Sequence, residues 1–475
     1  FAEGRRPARI IAALTWPVLL GAGGMAMVSQ GSKGLVPVML SIALQFFVCV
    51  ALHARLYDLR PATGQLTRFY LVMSAGGALG GLFTALIAPL VFDWAWEHPL
   101  LVLAAALLLP RAALPDWRAM QGLEPAMQRL LVAAVAISLG VLLALLFAIT
   151  TQYEETVWRW IYAGAIALLG LALVPWRAIG PILLAVVMYV QGGFDTIADS
   201  RNGVRTRSYF GIYTVRDYPQ HKLRTLAHGT TLHGEQSTDP ALRRQIRSYY
   251  GPGSGAGVVF GHAPELFGTS PAIGVVGLGT GTLACFNKPG EDWTFFEIDP
   301  AVLELSRKGT FTFLRDCAPQ ARIALGDARL ELIRQPPGSL DLLAIDAFSS
   351  DAIPLHLMTD EAFAIYLKAL SRNGVLLVHI SNRYIDLEPV ISALARRRGL
   401  HAAIRDDAPE GDLTKIYTGS TWIALSRDAG QLERIAKLAP QLEWQPLATP
   451  APRVWSDDHA SILPFIRWEN FLGTY

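Results

Sequence analysis

Hydrophobic positions divide the chain into two regimes. Up to about residue 194 apolar residues run on for lengths that match a bilayer, near 10–28, 35–54, 69–92, 94–110, 128–150, 157–175 and 179–194. About 20 apolar residues are needed to cross ~30 Å of hydrocarbon as a helix. The run "RLLVAAVAISLGVLLALLFAIT" is the strongest of the seven. The fourth is burdened by Asp93, Glu97 and His98, and the seventh is short. Residues 1–194 are therefore expected to form a transmembrane helical domain of about seven segments. The glycines of "SAGGALGGLFTA" would let helices of that domain approach closely.

After residue 195 the periods shorten. "YFGIYTV" (209–215) alternates as a half-buried strand does, and "KLRTLAHGTTLHG" (222–234) reads as two further strands around a turn. "DPALRRQIRSYY" (239–250) has a helical pattern with Asp239 as N-cap before Pro240, and "GPGSGAG" (251–257) breaks the chain. Residues 195–257 are thus read as a β-rich segment and linker helix. From 258 to 475 the pattern is α/β. Buried strands "AIGVVGL", "WTFFEID", "ARIALGD", "LDLLAIDAF" and "GVLLVHIS" alternate with helical stretches such as "AVLELSRKG" and "TDEAFAIYLKALSR". That alternation predicts a parallel, doubly wound sheet.

Composition sharpens the division. Residues 1–194 hold 12 of the 41 Lys and Arg and 8 of the 39 Asp and Glu, so the remainder has an ordinary soluble balance. Ten of the twelve basic residues fall on one side of a seven-span arrangement, and only Lys33 and Arg159 on the other. The positive-inside rule makes the first side cytoplasmic. Seven spans then place everything after 195 outside the cytoplasm, and six place it inside. No intramembrane ionisable pair suggests a proton relay, so an anchor is favoured over a transporter. A net charge of +2 gives no reason to expect nucleic acid. Cys49, Cys285 and Cys317 match neither a metal spacing nor a disulfide framework and are expected to be free thiols.

In doubly wound sheets ligands bind beyond the carboxyl ends of the strands. The first strand of the α/β region runs into "GLGTG", where Gly277, Gly279, Thr280 and Gly281 form a turn that a ligand can approach closely. The second ends in "FFEIDP", with Glu297 placed to accept ribose hydroxyls. The third ends in "LGDAR", with Asp327 and Ala328 beside an exocyclic amine. The fourth ends in "IDAFSSDAIP", with Asp346 and Asp351 at the same rim. A helix cap or strand-end turn accounts for any one of these acids; four in succession describe a nucleoside site. Thr282 stands where the dinucleotide fingerprint needs its third glycine, which favours a mononucleoside.

These motifs in this order resemble the spermidine synthase family of polyamine aminopropyltransferases over about residues 205–400. Joined to the apolar half, the chain resembles bacterial membrane-fused spermidine synthase-like proteins. The resemblance implies a class I methyltransferase-like sheet and no tightly bound cofactor. It implies decarboxylated S-adenosylmethionine as co-substrate and methylthioadenosine as product. Glu297 would hold the ribose, Asp327 the adenine amine, and Asp346 would be the catalytic aspartate. Asp351 would hold the distal ammonium of the amine, and Tyr249 or Tyr250 would contact substrate. The partners implied are a small polyamine and the lipid bilayer of a bacterial inner membrane, crossed several times; a homodimer is the oligomer to test.

The chain departs from that pattern at several positions. Thr280 replaces the loop acid that contacts the donor's amine, and Phe210 replaces a glutamine. "AHGTTLHG" brings His228 and His233 to the cleft. Asp457 and Asp458 of "WSDDHA" either fold back as amine ligands or cap a helix. Thr280 would tolerate the carboxylate of ordinary S-adenosylmethionine, so a methyltransferase acting on a membrane-associated substrate is a second reading. A polyamine transporter or sensor is a third.

Overall fold

The computed structural model describes residues 5–28, 35–109, 124–126, 130, 179–229, 231–348 and 354–471. The chain forms two compact units, Phe1–Arg205 and Thr206–Tyr475.

Among the described residues, three helices of the first unit are long and apolar enough to cross a membrane: Val38–Asp58, Thr63–Val91 and Gly180–Arg201. Leu14–Met27 and Glu97–Leu108 are shorter apolar helices. The expected spans at 128–150 and 157–175 fall, apart from residue 130, outside the described residues. Large aliphatic side chains such as Leu71, Val72, Leu79 and Leu90 face outward, as a lipid-facing surface requires. Trp16, Leu19, Leu20, Leu184 and Val187 pack inward. Close approach occurs at Gly180, which leaves no room for a side chain beside Trp16, and at Gly24 beside Val187. The glycines expected to do this, Gly76, Gly77, Gly80 and Gly81, meet no described neighbour within 4 Å. The last helix continues past 194 to Arg201 with a kink at Gly192 (φ +133°), so the units part after Arg205 instead of at 194.

The second unit opens with a four-stranded sheet in the order β1 (Arg205–Arg207), β2 (Ile212–Tyr218), β3 (Leu223–His228) and β4 (Thr231–Ser237), with β2 to β4 antiparallel. The segment 239–250 is not the helix its pattern suggested; it is a series of turns. Gln236 donates to the Arg243 carbonyl, and Arg247 pairs with Glu235, so β4 holds the segment in place. A helix forms instead at Gly255–Gly261, inside the glycine-rich stretch that read as a break. Ser254 caps it by accepting from Gly257 N–H, and its glycines allow contact with Trp422 and with the Gly251–Pro252 backbone. Packing has overridden propensity there.

The main sheet has seven strands: β5 (Ala272–Val276), β6 (Asp292–Glu297), β7 (Arg322–Leu325), β8 (Leu340–Ile345), β9 (Leu370–His379), β10 (His401–Asp407) and β11 (Ser420–Ser426). Their order is β10-β11-β9-β8-β5-β6-β7, with β5 to β9 parallel and β11 antiparallel between β9 and β10. This is the class I methyltransferase-like, doubly wound arrangement. Alternate residues face opposite layers. Val275, Phe295 and Ala344 join one core, and Val276, Phe296 and Ile345 the other. The order in which strands are added reverses at β5 and β8, which opens a crevice at the carboxyl ends of those parallel strands.

Cys285 and Cys317 are joined in a disulfide with Cα atoms 4.8 Å apart, correcting the expectation of free thiols; Cys49 is free. The pairing was hidden because 32 residues separate the two cysteines. The helix Phe313–Cys317 folds back on the turn Thr282–Phe286, where Asn287 donates to the Cys317 carbonyl.

Candidate active site

A cavity of about 640 Å3 lies at the carboxyl ends of the central strands and is lined by residues of both sheets. At one end the chain leaves β5 through Gly277 (φ +99°) and Gly279 (φ +53°), a backbone region that favours glycine. A side chain at 277 would strike the Asp346 carbonyl oxygen. Glu297, the last residue of β6, is buried, and its two oxygens accept from Leu278 N–H (2.9 Å) and Asp299 N–H (2.8 Å). Burial raises its pKa, and the backbone donors partly offset that. Asp327 caps the helix Ala328–Ile333 by accepting from Leu330 N–H, while its other oxygen lies 3.3 Å from His356 Nε2. The capping role does not remove it from the cavity, which both Asp327 and Ala328 line.

Thr280 is buried away from this space. Its hydroxyl pairs with Thr282 at 2.8 Å, and its side chain sits against Gly234 of β4, where a Cβ would collide with it. Neither Thr280 nor Gly281 lines the cavity. Gly281 (φ +85°) instead shapes the turn that packs on Leu314.

The other end is built around Asp346. Tyr250 donates its hydroxyl to Asp346 Oδ2 at 2.5 Å, and His379 Nδ1 lies 2.7 Å from Oδ1. Both side chains of the aspartate–histidine pair are about 5% exposed. His379 Nε2 contacts Ser381 Oγ at 2.7 Å, and that oxygen accepts from Thr421 N–H at 2.7 Å. The imidazole is stacked on Trp422 (4.3 Å between centroids, 6° between planes) and bounded by Phe348 and Tyr249. Burial first, then the Asp346 charge, pushes Tyr249 and Tyr250 well above the ordinary phenol range, so both keep their protons.

Between the two ends, His228 and His233 stand 5.4 Å apart, with His228 also against Tyr213. Burial lowers the pKa of both, against a smaller opposing pull from Asp299 on His228, and His233 is pushed down to about 4. His233 is therefore a neutral imidazole at physiological pH, and its buried Nε2 has no hydrogen-bond partner among the described residues. Phe210 completes this wall.

Of the predicted residues, the fold brings Gly277, Gly279, Glu297, Asp327, Ala328, Asp346, Tyr249, Tyr250, His228 and His233 to one cavity. Asp351 lies outside the described residues. Asp457 and Asp458 do not line the cavity. Asp457 forms a two-pronged pair with Arg329 (2.8 and 2.5 Å) and accepts from Thr359, and Asp458 is exposed. The helix expected after them is reduced to short turns at Leu463–Phe465 and Trp468–Phe471. Sequence reasoning missed His379, Ser381 and His356. A polar residue ending "GVLLVH" was visible, but only acids were sought at the strand ends.

No family model matches the chain. It is 30% identical over 129 residues to the polyamine aminopropyltransferase of Vibrio vulnificus, a match covering 26% of this chain and 40% of that protein. The chain thus spans about two-fifths of the length of that relative. Among solved structures, a probable spermidine synthase from Corynebacterium glutamicum is 15% identical with a TM-score of 0.41, covering 54% of this chain and 96% of that one. Spermidine synthase from Thermotoga maritima is 14% identical with a TM-score of 0.35, covering 54% and 80%.

Proposed function

We propose that the protein is a membrane-anchored aminopropyltransferase that moves an aminopropyl group from decarboxylated S-adenosylmethionine to an amine such as putrescine. The observation that carries this reading is Asp346, fixed by Tyr250 and His379 in the same cavity as Glu297 and Asp327. Glu297 and Asp327 would hold the ribose and the adenine amine. An ammonium has no lone pair, so the acceptor must be deprotonated before it attacks, or shed its proton as the bond forms. The amine nitrogen forms a bond to the aminopropyl carbon next to the sulfonium. The C–S bond breaks, its electron pair leaves sulfur neutral in methylthioadenosine, and the amine's proton passes to the Asp346 carboxylate. Tyr249, Tyr250 and His233, which line the same cavity, would contact the acceptor or the donor's tail. Asp351 is proposed to hold a distal ammonium.

The test supplies purified protein with decarboxylated or ordinary S-adenosylmethionine and a panel of amines. Amine-dependent release of methylthioadenosine supports the proposal. Its absence with every amine, or calorimetric preference for the carboxylated donor together with methyl transfer, replaces it with the methyltransferase reading. Thr280 was the motive for that alternative, and its burial against Gly234 weakens the motive.

The location proposed is a bacterial inner membrane, crossed several times. Disulfides persist in oxidising compartments and are rare in the cytosol. The Cys285–Cys317 bond therefore supports the non-cytoplasmic placement that the loop charges give with seven spans. Labelling of a cysteine introduced near residue 200 by an impermeant reagent in intact cells supports that side. Labelling only after lysis places the second unit inside.

A further inference from the structure

We infer that His379 is a positioning residue for Asp346: it holds the carboxylate aimed into the cavity, with Ser381 fixing the imidazole tautomer that does so. The inference rests on the proposed transfer, because it assigns Asp346 the role of proton acceptor. It stands on a continuous chain of contacts, each about 2.7 Å long: Thr421 N–H to Ser381 Oγ, Ser381 Oγ to His379 Nε2, and His379 Nδ1 to Asp346 Oδ1.

The direction of the chain follows from its two ends. A carboxylate oxygen can only accept, so Nδ1 carries the proton that faces Asp346. Thr421 N–H can only donate and occupies one lone pair of Ser381 Oγ, whose own proton is then free to go to Nε2 and close the chain. A buried imidazole in this tautomer is a fixed donor to a carboxylate, and such a bond favours the charged form. The ring is further held by stacking on Trp422 and by the edge of Phe348. Tyr250 supplies the second donor, to Oδ2. Two donors from opposite sides set the carboxylate plane and leave its remaining lone pairs for the amine proton.

Ser381, His379 and Asp346 also have the connectivity of a nucleophilic triad. The surroundings do not suit that chemistry. Ile380 N–H is bound to the Thr421 carbonyl and Thr421 N–H to Ser381 itself, so neither is available to an oxyanion. The cavity is instead served by the aspartate end of the chain.

His379→Leu removes the donor and keeps an apolar body against Trp422, whereas His379→Asn can present an amide N–H near the Nδ1 position. For the full-length protein we expect His379→Leu to lower kcat by about 10- to 100-fold, in line with losses at residues that orient a reactive group. The Kd for methylthioadenosine should stay within about twofold. His379→Asn should recover most of the loss, and Ser381→Ala should fall between wild type and His379→Leu. Unchanged kcat in His379→Leu would overturn the inference while leaving the transfer reaction standing. Equal loss of kcat and methylthioadenosine binding in both His379 variants would also overturn it, by showing a merely structural role. Wild-type protein with no turnover on any amine removes the transfer reading itself, and the inference falls with it.

Discussion

At one end of the cavity Glu297 and Asp327 sit within a residue or two of the strands that place them, and backbone N–H groups hold them. At the other end Asp346 is held by side chains from the 239–250 segment and from β9, far apart in the chain. The first end is a local device: strand, tight turn, acid. The second exists only when distant elements have docked. The difference separates two functions that one cavity must combine, since the local end can bind a nucleoside whether or not the distal end is assembled for chemistry.

That contrast is broken most severely at Asp346. Asp346→Asn should lower single-turnover methylthioadenosine release by ~10^2- to 10^4-fold, the range for loss of a general base. Methylthioadenosine binding measured by calorimetry should remain near wild type. The converse change, Glu297→Gln, should weaken that binding by roughly 10- to 100-fold, because it replaces a charged acceptor of ribose hydroxyls. Binding should also decline on acidification. Burial favours the neutral form of Glu297, so its carboxylate is lost at a higher pH than the ordinary 4.5. An isotherm titration across that range checks the onset.

Smaller effects sharpen the boundary between the ends. Opening the disulfide with Cys317→Ser should destabilise the second unit by about 3–4 kcal/mol on the chain-entropy view. Denaturant melts would show this, with donor binding more affected than the Asp346 end because the bond braces the turn after the glycine loop. Asp458→Ala should change turnover by less than about twofold, since that carboxylate is exposed and does not line the cavity. A large loss there would extend the amine-binding end to the C-terminal segment.

The same contrast explains what could be read in advance. Strands β5 to β9, the glycine turn and the acids at the strand ends follow from short-range patterns, and the fold places them as their order implies. The antiparallel pair β10 and β11 completes the sheet without a motif of its own. His379 was passed over because its meaning comes from Asp346, Ser381 and Trp422, none of them adjacent in sequence. Tertiary contacts also turned 239–250 from helix to turns and made a helix of Gly255–Gly261, where glycines serve packing against Trp422. Thr280 looked like a donor contact by position alone; the neighbouring Gly234 on β4 decides that its side chain turns inward. The disulfide was out of reach for the same reason, since proximity across 32 residues is a property of the folded unit.

The most direct test of the account is methylthioadenosine release from decarboxylated S-adenosylmethionine by the full-length protein, measured with and without amines and compared with Asp346→Asn. The account predicts amine-dependent release by the wild type and its near loss in a variant that still binds methylthioadenosine. No release with any amine, or equal release by Asp346→Asn, would contradict it.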